Sequence, residues 1–453
     1  MKRVRLVMSV LAVLAVLLGA TLPAGAQSSA DVPLVEWEPL PPAAQVEVSP
    51  EARALREQLL GPRALDPDYV TLAWTGVSSF VVTIKGHLLL FDAWEIVGFH
   101  ADYLPIGREE LAGLEPEAIL VGHGHFDHAA DVGYVAGTAG AAVVGSAGIC
   151  QRAREDAAYD GVSPEFDCAV TGTASTPEPG TLQPLRLFAD LDPVTVLQHV
   201  HSAARPPGDG NEPNPFLPVF DPEPYINNPN VSPQEYQRFL RSQQAQQGGT
   251  WMYHFRIGDF TLLLGDSAGP IYEHPKVPEA LRSFPDCVDV MANAILGFNQ
   301  PVSGLKDPVL YLDAVSPSVF LPTHADAWVP GLSAGQDAYI EQFEAEMQQR
   351  LDHQPALDWM IDPEDYMVER AYRVSDLRWT AAPPGSACAP AGGGGSGGGD
   401  ADDDDDSGAE DEAADRQSEP SLPATGGVLA LPGAAVLGIA ALTWRARRRR
   451  PSV

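Results

Sequence analysis

The chain of 453 residues is poor in cysteine, in positive charge and in histidine, and each scarcity limits what it can be. Its four cysteines are Cys150, Cys168, Cys287 and Cys388, and none forms a CxxC pair, so a thiolate zinc site is not indicated. Only 28 Lys and Arg stand against 61 Asp and Glu. Such a surface repels phosphate backbones, which argues against a nucleic-acid partner and against a nuclease. Histidines number only eleven, yet three of them fall between positions 123 and 128, in "LVGHGHFDHAAD" at residues 120–131.

The ends of the chain read as signals. Residues 1–26 carry Lys2, Arg3 and Arg5, an apolar run from Leu6 to Leu18, and the small-residue site Ala24-Gly25-Ala26. This is the layout of a secretory signal peptide cut after Ala26. Residues 27–67 form a Pro-rich lead-in with one short helix expected at "SPEARALREQLL". At the other end, residues 381–421 are Gly- and Asp-rich, with eleven acidic residues against one Arg between 400 and 419. They have no apolar periodicity to offset ordering entropy and read as a flexible, self-repelling tether.

Residues 422–453 open with "LPATG", continue as an apolar run to Trp444 and end in "RARRRR". This ordered set resembles the cell-wall sorting signal of Gram-positive bacteria, in which a sortase cuts between Thr and Gly and joins the Thr to peptidoglycan. The resemblance implies a secreted protein attached to the cell wall at Thr425. The apolar stretch, which contains Pro432, would be a transmembrane helix only during export. In an exported chain four cysteines suggest two disulfides, with three possible connectivities. Cys150–Cys168, closing a short loop, and Cys287–Cys388, pinning the C-terminal end, is the preferred pairing.

Residues 68–380 hold the folded core. "TLAWTGVSSFVVTI" and "HLLLFDAW" flank a turn at Lys85-Gly86, and "TWMYHFRI" and "FTLLLGDS" flank another at Gly258-Asp259. "EAILVGHGH", "AAVVGS", "PVTVLQHVHS", "VDVMANAI" and "SVFLPTHAD" are further strands, and "HAADVGYVAGTAG" and "AGICQRAREDA" are helices. In "GQDAYIEQFEAEMQQRLD", Tyr339, Phe343 and Met347 recur at helical spacing. Hairpins followed by alternating strands and helices predict an α/β fold of mixed sheets covered by helices, and the two hairpins hint at a duplicated layout. Residues 203–249 form a long Pro/Asn/Gln-rich insertion, with one helix expected at "SPQEYQRFLRSQQ". Phe216, Phe220 and Tyr225 in it either line a pocket or hold the loop down.

The histidine cluster follows a strand. His123 and His125, two apart, share one side of an extended segment, and Asp127 and His128 follow at the start of a helix. Imidazole and carboxylate together suit Zn2+ and similar first-row metals. Later strands also end in such residues: His199 and His201 in "VLQHVHS", Asp266 in "LLLGDS" and His324 in "FLPTHAD".

This set, with Asp92 in "LLFD", resembles the metallo-β-lactamase fold superfamily over about residues 68–378. The nearest branch contains L-ascorbate-6-phosphate lactonase and N-acylphosphatidylethanolamine-hydrolysing phospholipase D. The resemblance implies an αββα sandwich with two divalent metal ions at one edge, Zn2+ in the first place and Mn2+ as the alternative. One ion would take His123, His125 and a third histidine, for which His201, followed by Ser202, is preferred over His199. The other would take Asp127, His128 and His324, with Asp266 bridging both and Asp92 supporting from behind. Paired metals hold hydroxide at neutral pH, and that hydroxide would attack a carbonyl or phosphoryl centre, oriented by Asp127 or Asp266 as catalytic carboxylates. His199 and His254 are candidates for the leaving-group acid, while His87, His100, His274 and His353 have no motif context.

The expected function is hydrolysis of a small-molecule ester, lactone, amide or phosphodiester. A true β-lactamase is less expected because zinc β-lactamases generally lack the bridging aspartate. The alternative is a non-catalytic, metal-stabilised surface binding or adhesion protein, against which the full ligand set argues.

Overall fold

The computed structural model describes residues 37–95, 105–172, 178–202, 241, 248–284, 287–297, 304–326, 335–361, 363–376 and 379. The segments read as signal peptide, tether and sorting signal, together with His100, Cys388 and nearly all of the 203–249 insertion, lie outside the described residues. Among the described residues no helix is long and apolar enough to cross a membrane.

The described strands form two mixed sheets of seven. The first holds β1 (Tyr69–Gly76), β2 (Ser79–Ile84), β3 (His87–Phe91), β4 (Ala118–Leu120), β5 (Ala142–Gly145) and β6 (Cys168–Val170) in sequence order. The second holds β7 (Leu182–Leu185), β8 (Val194–Gln198), β9 (Trp251–Ile257), β10 (Phe260–Leu264), β11 (Val290–Ala294), β12 (Val319–Thr323) and β13 (Ala356–Leu357). A last strand, β14 (Glu369–Arg373), returns to pair with β1. In the first sheet β1, β2 and β3 are antiparallel and β3 to β6 parallel. In the second, β8, β9 and β10 are antiparallel and β10 to β13 parallel. The two sheets therefore repeat one layout, with β3 and β10 in equivalent places.

Alternation along the strands sets the layers. Trp251, Tyr253, Phe255 and Ile257 of β9 share one core with Phe260, Leu262 and Leu264 of β10 and Val70, Leu72 and Trp74 of β1. Met252, Leu263, Met291 and Phe320 belong to a second core, with Val277, Val309, Leu312, Phe343 and Met347. Those last five come from the helices Lys276–Arg282, Lys306–Val315 and Ile340–Arg350. Helices Val132–Ala139 and Ala147–Asp160 pack against the first sheet, giving the αββα order. Fully burying one such large apolar side chain contributes roughly 1.5–3 kcal/mol, so the two cores dominate stability.

Local chemistry explains the boundaries. Lys85 (φ 51°) and Gly86 (φ 90°) are both left-handed, as a tight two-residue hairpin requires. Helix Pro50–Leu60, at the expected position, is capped by Ser49, whose side chain accepts from Ala52 N at 3.0 Å. Arg56 from that helix donates to the carbonyls of Leu114 (2.9 Å) and Glu115 (2.7 Å), satisfying the end of helix Arg108–Gly113. Leu40 N donates to Leu187 O at 2.9 Å, so the described part of the lead-in is tied to the core. Cys150 and Cys168 are disulfide-bonded, joining helix Ala147–Asp160 to β6. Cys287 is described, but its expected partner Cys388 is not.

Several elements differ from the sequence reading. The run 71–84 is two antiparallel strands, not one, because the chain reverses at Val77-Ser78. Residues 128–140 belong to two helices, Phe126–Ala129 and Val132–Ala139. Strands β6, β7, β13 and β14 and helices Arg108–Gly113, Lys276–Arg282 and Lys306–Val315 were not anticipated. The edge strands β7 and β14 are exposed or half-buried along most of their length, so they lack the apolar alternation that reveals a strand.

His87, at the start of β3, is fully buried between two carboxylates. Its Nδ1 lies 2.7 Å from Glu117 Oε2 and its Nε2 2.8 Å from Asp190 Oδ1, with the ring stacked on Phe188. Burial opposes its charge, but Glu117 and Asp190 outweigh this and raise its pKa. Stability from a raised histidine pKa is full below the unfolded value, near 6.5, and is lost as pH rises through the folded value. The stability advantage of wild type over His87→Gln in urea titrations should therefore shrink from pH 5.5 to pH 9; a constant or growing difference would refute the charged pair. A second expectation concerns helix packing. A Cβ on Gly133 would lie 2.1 Å from the Ala153 carbonyl oxygen of the neighbouring helix. Gly133→Ala should lose about 1–3 kcal/mol in urea unfolding through overpacking.

Candidate metal centre

Each candidate ligand stands where a strand stops, at the carboxyl ends where open α/β sheets bind ligands. Past β4, Gly122 N donates to Asp92 Oδ1 at 2.8 Å and Gly122 O accepts from Trp251 N at 2.8 Å, so the turn is fixed to both sheets. His123 and His125 follow, and the short helix Phe126–Ala129 carries Asp127 and His128. The ends of β8, β10 and β12 deliver His201, Asp266 and His324.

These side chains converge in two groups. His123 Nε2 lies 3.0 Å from His125 Nδ1 and 3.0 Å from His201 Nε2. His128 Nε2 lies 3.1 Å from His324 Nε2, and Asp127 Oδ2 lies 3.4 Å and 3.3 Å from those two nitrogens. The rings of His123 and His128 are adjacent, with centroids 4.1 Å apart. All three groupings of possible ligand atoms, His123/His125/His201, Asp127/His128/His324 and His123/His128/Asp266, close within 4.8 Å.

Outer contacts orient the rings. Asp92 Oδ2 accepts from His128 Nδ1 at 2.8 Å, and Asp266 Oδ2 lies 2.6 Å from His123 Nδ1 and 3.4 Å from His128 Nδ1. Asp266 thus meets His123 on the side of the ring away from His125 and His201. Its other oxygen, Oδ1, is buried with no hydrogen-bond partner. His201 Nδ1 contacts the Ser202 carbonyl.

Burial governs the electrostatics. Desolvation, joined by neighbouring histidines, holds the pKa of His123 and His201 well below the usual histidine value and lowers that of His125. Burial also opposes charge on His128, but Asp127, Asp266 and Asp92 together raise its pKa well above normal. Desolvation acts against ionised Asp127 too, yet His128 and His324 hold its pKa well below the carboxylate range. Asp92 is pushed up to about 7, by burial and then by the charge of Asp266.

These contacts fix tautomers. A carboxylate or carbonyl oxygen can only accept, so His123 Nδ1 donates to Asp266 and His201 Nδ1 donates to Ser202 O. Both rings are neutral, so each Nε2 carries a lone pair, and the two lone pairs face each other at 3.0 Å. That contact is repulsive unless a cation lies between them. For Zn–N bonds of 2.0–2.1 Å, ligand nitrogens of a tetrahedral site stand roughly 3.3 Å apart, close to the spacing found. The donor set, imidazole nitrogen and carboxylate oxygen, suits Zn2+ or Mn2+.

His199 lies outside both groups. Its Nδ1 is 3.0 Å from the hydroxyl of Tyr311, and burial pushes its pKa down to about 4. His254 is on β9, stacked on Phe284, and burial again pushes it down to about 4. Neither is among the side chains that converge. The sequence reading missed Tyr311 and the role of Gly122. A Cβ on Gly122 would lie 2.1 Å from the Asp266 carboxylate, so only glycine lets that carboxylate approach the turn.

Residues 72–210 match the family model of the metallo-beta-lactamase superfamily. A metal-dependent hydrolase of Pyrobaculum neutrophilum is 36% identical over 75 residues, 17% of this chain, and the chain spans only 32% of that protein's length. Among solved structures, Igni18, a metallo hydrolase from Ignicoccus hospitalis, aligns at 14% identity and TM-score 0.41, covering 67% of this chain and 98% of its own. A possible metal-dependent hydrolase from Veillonella parvula aligns at 14% identity and TM-score 0.39 with the same coverages. The fold is the metallo-β-lactamase fold, two mixed sheets flanked by helices.

Gly122→Ala should displace the Asp266 carboxylate and lower zinc content on elemental analysis, with the circular dichroism spectrum unchanged. Wild-type zinc content in that variant would show that the Asp266 position is not critical.

Proposed function

We propose that the chain is a metal-dependent hydrolase whose two-ion site is built from the converging side chains, and that it acts outside the cell while attached to the wall. The observation that carries the catalytic reading is the pair of lone-pair nitrogens, His123 Nε2 and His201 Nε2, facing each other at 3.0 Å beside a second cluster of Asp127, His128 and His324. His123, His125 and His201 would hold one ion and Asp127, His128 and His324 the other. Asp266 orients His123 through Oδ2 and would be a further ligand, its Oδ1 being buried with no hydrogen-bond partner. Divalent ions bound there supply a Lewis acid and a nucleophilic water at neutral pH.

The chain's own residues do the rest. The lowered pKa of Asp127 keeps it ionised at neutral pH, and Asp127 or Asp266 would orient an attacking water by accepting its hydrogen. Asp92 holds the His128 ring in place, and Asp266 holds that of His123. The substrate is a small molecule with an ester, lactone, amide or phosphodiester bond; the acidic surface disfavours nucleic acid. The signal-peptide layout, the tether and the "LPATG" set support secretion and sortase-mediated attachment to peptidoglycan at Thr425.

Two tests follow. The zinc-loaded protein should turn over at least one of a generic ester, a lactone and bis-p-nitrophenyl phosphate, and no turnover at full metal content would favour a binding protein instead. Asp266→Ala should retain the fold while losing most activity and at least ~10-fold in zinc affinity. His201→Ala should lower metal content more than His199→Ala, and the reverse order would move the ligand to His199.

A further inference from the structure

His324 is the one member of its cluster that comes from the second sheet; Asp127 and His128 both follow β4. Its backbone is left-handed, with φ 69°. A residue other than glycine holds that conformation only where its surroundings enforce it. The enforcing contacts come from the opposite sheet. His324 N donates to Val77 O at 2.9 Å, in the turn between β1 and β2. The preceding residue is fixed as well, with Thr323 Oγ1 3.0 Å from Ser78 Oγ.

Val77 is itself left-handed, at φ 53°, an outlier for a β-branched residue. Both of its backbone polar groups are engaged. Val77 O also accepts from Trp74 Nε1 at 3.0 Å, and Val77 N donates to Asp326 Oδ2 at 3.1 Å. Asp326 follows His324 by two residues and is fully buried. The same oxygen, Oδ2, accepts from the Tyr366 hydroxyl at 2.6 Å, and the Tyr366 ring stacks on Trp74 at 4.4 Å. The segment 323–326 is thus pinned to the β1–β2 turn on both sides of His324, and one carboxylate oxygen closes the loop.

We propose that Asp326 is a positioning residue for His324, and through it for the Asp127/His128/His324 subsite alone. The inference rests on the ligand assignment proposed above. Among the described residues the hydrogen bonds of the clamp join Trp74, Val77, Ser78, Thr323, His324, Asp326 and Tyr366, and none of these bonds runs to His123, His125 or His201, so loss of Asp326 should leave that group in place. Tyr366 serves the same end by fixing the Asp326 oxygen. Among the described residues Asp326 Oδ2 accepts two hydrogen bonds, so an amide oxygen at that place should largely replace it.

The test is zinc binding by the full chain, followed by competition with a chromophoric chelator. Wild type should bind two ions. Asp326→Ala should weaken one of them by about 10–100-fold, the range for loss of a residue that orients a ligand, and leave the other unchanged. Asp326→Asn should restore most of that loss. His324→Ala should lose the same ion, and the Asp326→Ala/His324→Ala double variant should bind no worse than His324→Ala. Equal weakening of both ions in Asp326→Ala, or additive loss in the double variant, would overturn the inference and leave the ligand assignment standing. Wild-type binding by His324→Ala would overturn the assignment and the inference with it. If Asp326→Ala does not fold, Tyr366→Phe carries the comparison: selective weakening of one ion is expected, and unchanged binding of both overturns the proposal.

Discussion

Everything at the edge of this sandwich depends on one constraint: ligating atoms with lone pairs have been packed against one another at a site where His123, Asp127, His128 and Asp266 are buried and His125 and His201 half-buried. His123 Nε2 meets His201 Nε2 at 3.0 Å, and Asp92, Asp127 and Asp266 are all buried within the same patch. Burying an unpaired charge or lone pair is expensive, and in such a place it is tolerated only with a partner of opposite sign. Part of that partner is His128, held charged by three carboxylates. The excess shows at Asp92, pushed up to about 7 by burial and by its neighbour Asp266. Asp266 Oδ1 is buried with no hydrogen-bond partner beside these rings, and the three groupings of ligand atoms could each hold a metal ion.

The architecture explains how such a cluster can be held. Two sheets of the same layout face each other, and equivalent strands end at the same edge. Asp92 after β3 and Asp266 after β10 occupy matching places, and each contacts His128. Cross-sheet bonds hold the edge together: Trp251 N to Gly122 O, Tyr253 Oη to Val121 O at 2.8 Å, and His324 N to Val77 O. Four of the seven proposed ligands precede β5 and three follow β7, so ions bound here would act as a further cross-link between the halves.

Much of this was legible in the sequence, and the reasons are local. A run of apolar residues ending in His or Asp marks a strand that delivers a ligand, and the segments ending at His125, His201, Asp266 and His324 all do so. The hairpins at Lys85-Gly86 and Gly258-Asp259 were marked by glycine, and Tyr339, Phe343 and Met347 face one core as their spacing indicated. What stayed hidden depends on distant partners. The reversal at Val77-Ser78 puts a β-branched residue at the turn, and Asp326 and His324, some 250 positions away, hold it. The Asp266 contact with His123 Nδ1 could not be foreseen either, since spacing says which residues meet but not which face of a ring they meet. Nor could spacing place His199 under Tyr311, which comes from a helix whose pattern was not recognised.

Three left-handed residues lie at the same edge. Asp92 (φ 58°), Val77 (φ 53°) and His324 (φ 69°) are all left-handed, and all lie at or beside the turns that carry the cluster. Each such residue costs of order 1–3 kcal/mol. Asp92 is compensated by its bonds to Gly122 N and His128, and Val77 by Asp326 and His324. A ligand bound at 100 times its dissociation constant adds about 2.7 kcal/mol to the folded state. That is comparable to the strain in one or two of these residues, so ion binding and the hydrogen bonds behind it are of similar weight. The backbone bond of His324 and the carboxylates of Asp92, Asp266 and Asp326 together set the directions of the imidazoles, and ions would enter donors already oriented by the fold.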